Sequence, residues 1–108
     1  ANPPFSLSEW GAERFEHDRY GRNIWGTPSN SSADFAWIQH LVSSMKADTG
    51  RCALIIAQGV LFHGGAEGKM RQQLIESDKL EAVITLPSGI FFSTIQFPGI
   101  RIVTATAS

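Results

Sequence analysis

The chain has 108 residues, of which 43% are hydrophobic and 18% charged, and nine basic against ten acidic residues give a formal net charge of −1. This length allows one globular domain that buries a core without a metal or a disulfide, and a single cysteine, Cys52, excludes an internal disulfide framework. No apolar run approaches the ~20 residues of a membrane span, and no surplus of basic residues indicates a nucleic-acid partner.

The first part of the chain, residues 1–33, predicts an irregular segment. Three prolines, three glycines and a Ser/Asn cluster at residues 29–32 interrupt any apolar periodicity, so we expect a short helix near residues 9–15 and otherwise loop. Five of the eleven aromatic residues lie here, which is not typical of a solvated linker. These aromatics are interpreted with equal weight as a cover over a core or as a base-stacking surface.

From residue 34 the pattern becomes regular. Apolar residues recur at helical spacing and predict a helix over residues 33–47, with Ser31 or Ser32 as its cap. The continuous apolar run of residues 52–57 has the length of a strand and no alternation. Such a run is typical of a strand that is buried on both faces of a parallel sheet.

The second half of the chain repeats this alternation of helix and strand. Residues 67–77 predict a short amphipathic helix with Met70 and Leu74 on its apolar face, and residues 80–86 predict the next strand. Residues 100–103 alternate more clearly, which favours a last strand that lies at an edge or antiparallel to its neighbour. This order of elements predicts half of a three-layer α/β fold with a mostly parallel sheet.

A short motif stands at the start of the chain, Asn2–Pro3–Pro4–Phe5. Two successive prolines remove two N–H donors and leave carbonyl oxygens free to accept hydrogen bonds. The Asn2 amide oxygen is a further acceptor, and Phe5 offers a flat face for stacking. Together these groups suit a planar ring that carries an exocyclic amine, such as an adenine turned out of a duplex. The alternative interpretation is a plain Pro-Pro turn that closes a strand.

The tetrapeptide resembles motif IV of the amino-directed DNA methyltransferases, which transfer a methyl group from S-adenosylmethionine to a base amine. Over about residues 2–94, the chain is similar to the modification subunit of type I restriction systems, which are N6-adenine methyltransferases. The matching stretches are residues 18–20, 25–28, 33–40, 59–71 and 86–94. The resemblance implies the C-terminal half of a Rossmann-like methyltransferase fold, a cytoplasmic location, and DNA together with specificity and restriction subunits as partners.

The resemblance also implies roles for the four motif residues. The Asn2 side chain and the Pro3 carbonyl would accept hydrogen bonds from the N6 amine of a flipped adenine, Phe5 would stack on the base, and Pro4 would shape the turn. The amine would be the nucleophile of a direct displacement, in which positioning supplies much of the catalysis. No covalent enzyme intermediate is needed, in agreement with the placement of Cys52 in a buried strand.

The family's glycine-rich cofactor loop and its first strands would precede residue 1, so no cofactor-binding residue is identified. The glycine-rich stretch 64–68 follows a later strand and lacks the G-x-G-x-x-G spacing. Because the chain enters the motif directly after Ala1, we expect a partial methyltransferase domain over residues 1–108 that is inactive by itself. It comprises an irregular motif segment (1–33), a helix-strand-helix-strand core (34–94) and an uncertain C-terminal strand and tail (95–108).

Other candidate sites are weaker. The three histidines at positions 17, 40 and 63 do not have the spacing of metal ligands, so no metal site is predicted. Lys69 and Arg71 are interpreted as a solvated helix face in preference to phosphate contacts. The alternative to part of an enzyme is a truncated, non-catalytic interaction module that associates with itself or another chain through an exposed sheet edge.

Overall fold

The computed structural model of the chain describes residues 1–87 and the strand backbone of residues 101–106. No helix in these two ranges is long and apolar enough to cross a membrane. A short 3₁₀ turn at Gln58–Leu61 follows the first strand. The regular elements are α1 (Ala12–Glu16), α2 (Asp34–Ser44), β1 (Arg51–Ile56), α3 (Gly65–Glu76), β2 (Leu80–Thr85) and β3 (Arg101–Thr106).

The three strands form one sheet in the order β1–β3–β2. Leu54 of β1 lies opposite Val103 of β3, which in turn lies opposite Val83 of β2, and both pairings are antiparallel. Of the two alternatives predicted for the last strand, an edge position or an antiparallel pairing, the antiparallel pairing is the one observed, since β3 lies between β1 and β2. The prediction of a mostly parallel sheet is not confirmed among the described strands, because β3 inserts between two strands that run in the same direction.

The strand β3 extends further than the sequence indicates. It reaches Thr106, within the part of the chain that is predicted as an uncertain tail, and pairs there with Arg51 of β1. Hydrogen bonds to strands on both sides thus extend β3 over residues that show only a weak strand pattern in the sequence. The predictions for residues 88–100 lie outside the described residues.

Ala1 also pairs with β1, on the edge opposite β3. Its backbone nitrogen donates to the Ala53 carbonyl at 2.7 Å, and its carbonyl accepts from the Ile55 N–H at 2.9 Å. The two bonds go to the residues before and after Leu54, which is the hydrogen-bond pattern of a parallel pair of strands. Asn2 therefore leaves the sheet toward the carboxyl end of β1, where parallel strands in open α/β sheets present their ligand sites.

The hydrophobic core lies between one face of β1 and the helices α2 and α3. Leu54 and Ile56 of β1 are buried, whereas Ala53 on the opposite face is exposed and Ile55 is half-buried. The prediction of a strand buried on both faces is not confirmed, because both helices cover the same face. The buried core residues are Phe35, Ile38, Val42, Leu54, Ile56, Val60, Met70 and Leu74.

The helix predictions are confirmed with small shifts of their ends. The prediction of Ser31 or Ser32 as the cap of α2 is wrong, because Ala33 is the N-cap residue and no side chain caps the helix. The Ser32 hydroxyl lies just before it and accepts the backbone N–H of Asp34 at 3.2 Å. The helix ends at Ser44 because Met45 adopts an extended conformation. In α3, Met70 and Leu74 are the buried residues, as their spacing predicts.

The irregular segment is held against α2 by a buried amide, that of Gln39. Its side chain is fully buried, accepts the Trp25 N–H at 2.8 Å and donates to the Gly26 carbonyl at 2.9 Å. Trp25 packs against the core, and Trp10 makes an edge-to-face contact with Phe15 at 5.6 Å. For Trp10 and Trp25, the interpretation as packing residues is confirmed.

We expect Gln39→Ala to lower the free energy of unfolding by about 2–4 kcal/mol, because it leaves two backbone groups unpaired and opens a cavity. Urea denaturation followed by circular dichroism measures the change. Gln73→Ala is the matched control, since Gln73 is exposed on α3 and should change stability by less than about 0.5 kcal/mol. Equal effects of the two substitutions would contradict the role assigned to Gln39.

Candidate active site

The motif segment Asn2–Phe5 is fixed at both of its ends. Ala1 is bound to β1, and beyond Phe5 the Ser6 N–H donates to Asp34 Oδ1 at 2.9 Å, while the Leu7 carbonyl accepts the Ala33 N–H at 2.9 Å. Ser6 has a φ of 49°, in the left-handed region that non-glycine residues seldom occupy. A tight turn that several hydrogen bonds to neighbouring residues hold in an unfavourable conformation is typical of functional segments.

The four motif residues differ in exposure. Asn2 and Pro4 are exposed, while Pro3 and Phe5 are half-buried. Within residues 1–87 the Asn2 amide makes no hydrogen bond, so its oxygen is available to accept one from a ligand. Since proline lacks an N–H, Pro3 contributes a carbonyl acceptor beside that amide. This arrangement can bind a group that offers two N–H donors.

A cavity of about 300 Å³ separates the start of the motif from α2. Asn2 and Pro3 lie on one side, and Trp37, His40 and Leu41 of α2 lie on the other. The volume is at the lower end of the range of small-molecule pockets, ~300–1,000 Å³. The structure thus brings Asn2 and Pro3 together at one cavity, whereas Pro4 and Phe5 are not among its lining residues in the described part of the chain.

A second cavity of about 400 Å³ shares Trp37 and His40 with the first. Its floor is formed by α1 and the loop that follows, and it includes the ion pair between Asp18 and Arg22. Trp37 carries a buried indole N–H that has no hydrogen-bond partner within residues 1–87. A buried donor of this kind is costly unless a partner is supplied.

The second cavity contains a closely hydrogen-bonded ion pair between Asp18 and Arg22. Arg22 donates from Nε to Asp18 Oδ2 at 3.0 Å and from Nη2 to Asp18 Oδ1, and its backbone N–H adds a bond of 2.8 Å. These hydrogen bonds lower the pKa of Asp18 to about 2. Arg22 Nη1 also lies 3.5 Å from His40 Nδ1. Because an arginine can only donate, this contact favours the His40 tautomer that is protonated on Nε2.

Sequence reasoning does not find the contact between Arg22 and His40. His40 is half-buried on α2. The spacing of four residues between Asp18 and Arg22 is compatible with an ion pair, but 18 positions separate Arg22 from His40. Arg22 and His40 lie close together because of the path that the irregular segment takes between them.

The glycine-rich turn before α3 does not have the form of a cofactor cradle. Arg71 is half-buried, and its Nη1 donates to the Val60 and His63 carbonyls at 3.1 and 2.8 Å, so it supports the turn, whereas Lys69 is exposed, as predicted for a solvated helix face. Glu67 accepts the N–H and hydroxyl of Ser29 at 3.1 and 2.9 Å. Burial raises the pKa of Glu67, but these bonds outweigh it and lower the pKa below its usual range.

Residues 1–87 also contain no cluster of three or more His, Cys, Asp and Glu side chains that could hold a metal ion. The turn follows β1 and lacks the G-x-G-x-x-G spacing, and Glu67 Oε1 already accepts two hydrogen bonds from Ser29. We therefore assign no cofactor contact to these residues.

The chain belongs to the N-6 DNA Methylase family, whose sequence profile matches residues 1–104. It is 34% identical over 97 residues to the MjaIX methylase subunit, a type I restriction enzyme subunit of Methanocaldococcus jannaschii, covering 86% of this chain and 17% of that relative. It is 35% identical over 95 residues to the HindI methylase subunit of Haemophilus influenzae, covering 87% and 21%. This result confirms the resemblance to type I modification subunits.

The structure agrees with the sequence comparison. A methyltransferase subunit of the type I restriction-modification system from Streptococcus thermophilus superposes with a TM-score of 0.83 at 35% identity, over 97% of this chain and 22% of that chain. The chain thus spans about a fifth of the length of the relatives that it matches.

We expect Arg22→Gln to raise the pKa of Asp18 toward its ordinary value of 3.8, though not completely, because the backbone N–H of residue 22 still donates. A carboxylate with a lowered pKa stabilises the fold above its unfolded pKa, and that contribution is lost as the pH falls through about 2. Carbon-13 NMR titration of the Asp18 carboxyl measures the shift. Arg19→Gln is the control, since Arg19 contacts Tyr20, and an Asp18 pKa that is identical in both variants would contradict the assignment.

Proposed function

We propose that this chain forms the target-base side of a site-specific DNA methyltransferase that modifies adenine N6 in a type I restriction-modification system. Its support is membership of the N-6 DNA Methylase family and similarity to type I methylase subunits. The observation that carries the proposal is the motif segment itself, because it is fixed at both ends and leaves the Asn2 amide exposed beside the Pro3 carbonyl.

The chemistry follows from two adjacent acceptors. The Asn2 Oδ1 and the Pro3 carbonyl accept the two N6 hydrogens of an adenine that has been extruded from the duplex. Holding both hydrogens orients the amine with its lone pair toward the methyl donor, so that positioning supplies much of the catalysis. The half-buried Phe5 stacks on the base and fixes its plane, and Pro4 sets the turn that brings the three groups together.

The cofactor of this proposal is S-adenosylmethionine, which supplies an electrophilic methyl group. The glycine-rich turn follows a later strand and Glu67 Oε1 accepts from Ser29, so we assign neither of them to its binding. We propose that it binds mainly to a preceding half of a Rossmann-like, three-layer domain, in line with the small share of each relative that this chain covers. DNA, a specificity subunit and a restriction subunit are the proposed partners, and the cytoplasm is the proposed location.

The test is methyl transfer from radiolabelled S-adenosylmethionine to duplex DNA by the full-length protein that contains this chain. We expect Asn2→Ala to lower kcat at least about 100-fold, because one of two positioning acceptors is lost. Asn2→Asp keeps an acceptor oxygen and should retain more activity. Asn30→Ala, at another exposed asparagine, is the matched control. Full activity of Asn2→Ala, or labelling of a base position other than adenine N6, would refute the proposal.

The second candidate function is an interaction module without catalysis. Val83 and Ile84 of β2 are 42% and 47% exposed, which favours association through this end of the sheet. We expect the 108-residue polypeptide alone to incorporate no methyl label. Light scattering tests the interaction module, because a stable monomer counts against it. Methyl incorporation by the isolated polypeptide counts against the assignment of the cofactor to a preceding half.

A further inference from the structure

The turn between β1 and α3 exposes a large aromatic side chain. Phe62 follows the 3₁₀ turn and is 64% exposed, the largest exposed fraction of any described phenylalanine or tryptophan. Scattered apolar residues on a surface need no explanation, but an aromatic ring on a rigidly held turn is a candidate contact. The first question is therefore whether the turn is rigid.

Two sets of hydrogen bonds hold the turn. The N–H groups of Phe62 and His63 both donate to the Gly59 carbonyl, at 3.2 and 2.9 Å. Arg71, from the second turn of α3, donates to the carbonyls of Val60 and His63. Val60 is itself buried in the core. Phe62 is therefore presented by a fixed backbone, although its ring is in solvent.

His63 supports the ring from one side. The two rings lie 5.8 Å apart at 85°, an edge-to-face contact that leaves a face of Phe62 open. A Cβ atom at Gly59 would lie 2.7 Å from both Cε1 and Nε2 of His63, so the glycine makes room for the imidazole. Beyond His63, a Cβ at Gly64 or Gly65 would meet no atom of residues 1–87 within 4 Å, which leaves room there for an incoming group to approach the backbone.

The turn and the motif lie at the same end of the sheet. Ala1 runs parallel to β1, so Asn2 leaves the sheet beside the carboxyl end of β1. The chain that leaves β1 after Ile56 enters the 3₁₀ turn two residues later and then reaches Phe62. An open aromatic face thus shares the carboxyl edge of the sheet with the two acceptors of the motif.

We propose that Phe62 is a stacking surface for an unstacked base of the DNA that flanks the target adenine. This inference rests on the proposed function. Extrusion of one base leaves its neighbours with an exposed face, and aromatic side chains bind such faces without regard to base identity. A protein partner is less consistent with this turn, because the residues that follow Phe62 are His63 and two glycines, whereas protein contacts centre on packed apolar clusters.

The experiment uses the full-length methyltransferase assembly and a cognate duplex with 2-aminopurine next to the target adenine. Stacking quenches the fluorescence of this base analogue. We expect Phe62→Ala to weaken DNA binding about 5- to 150-fold and to reduce the quenching, because one base–aromatic contact is lost. Phe62→Trp should restore both. Gly59→Ala, which forces the His63 ring to move, should give a smaller loss of quenching.

Ile75→Ala is the control, since Ile75 is 52% exposed on α3 and away from the turn. Melting curves that match the wild type show that Phe62→Ala is folded, and Phe62→Tyr supplies a second folded variant. Unchanged binding and quenching in Phe62→Ala would overturn the inference, as would loss of a subunit from the assembly in size-exclusion light scattering. These outcomes leave the proposed function intact, which fails instead if the wild-type assembly methylates no adenine.

Discussion

The buried amide of Gln39 is the contact on which the shape of this chain depends. A fully buried side chain that both accepts from Trp25 and donates to Gly26 fixes the irregular segment in one position over α2. Irregular backbone that is covered by other residues must find hydrogen bonds, and here one side chain satisfies a donor and an acceptor together. The aromatic residues of that segment can then pack against other residues, whereas on a free loop they would be exposed to solvent.

Different faces of α2 pack in the core, hold the irregular segment through Gln39, and line the cavity beside the motif. Phe35, Ile38 and Val42 meet the sheet, while Trp37, His40 and Leu41 line the cavity beside Asn2 and Pro3. Its first turn holds the segment after the motif through Asp34. The position of the motif is consequently coupled to the packing of the core, because the same helix holds both.

Polar contacts over long sequence separations complete the site. Asp18, Arg22 and His40 form one chain of contacts, and Ser29 joins the irregular segment to Glu67 of α3. The Arg22–His40 and Ser29–Glu67 contacts join groups in different elements, so neither is visible as a local pattern. The i to i+4 spacing of Asp18 and Arg22 is the one signal available, but it does not show that Arg22 also reaches His40.

Local sequence patterns are enough to predict the alternation of helix and strand, the apolar faces of α2 and α3, and the motif Asn2–Phe5, because periodicity and proline chemistry are local properties. They leave β3 as either an edge strand or an antiparallel partner. The position of β3 between β1 and β2, the covered face of β1 and the edge that Phe62 shares with Asn2 come from contacts in the folded chain. Strand order depends on hydrogen bonds between distant segments, and the alternation within each strand is the same whichever neighbour it has.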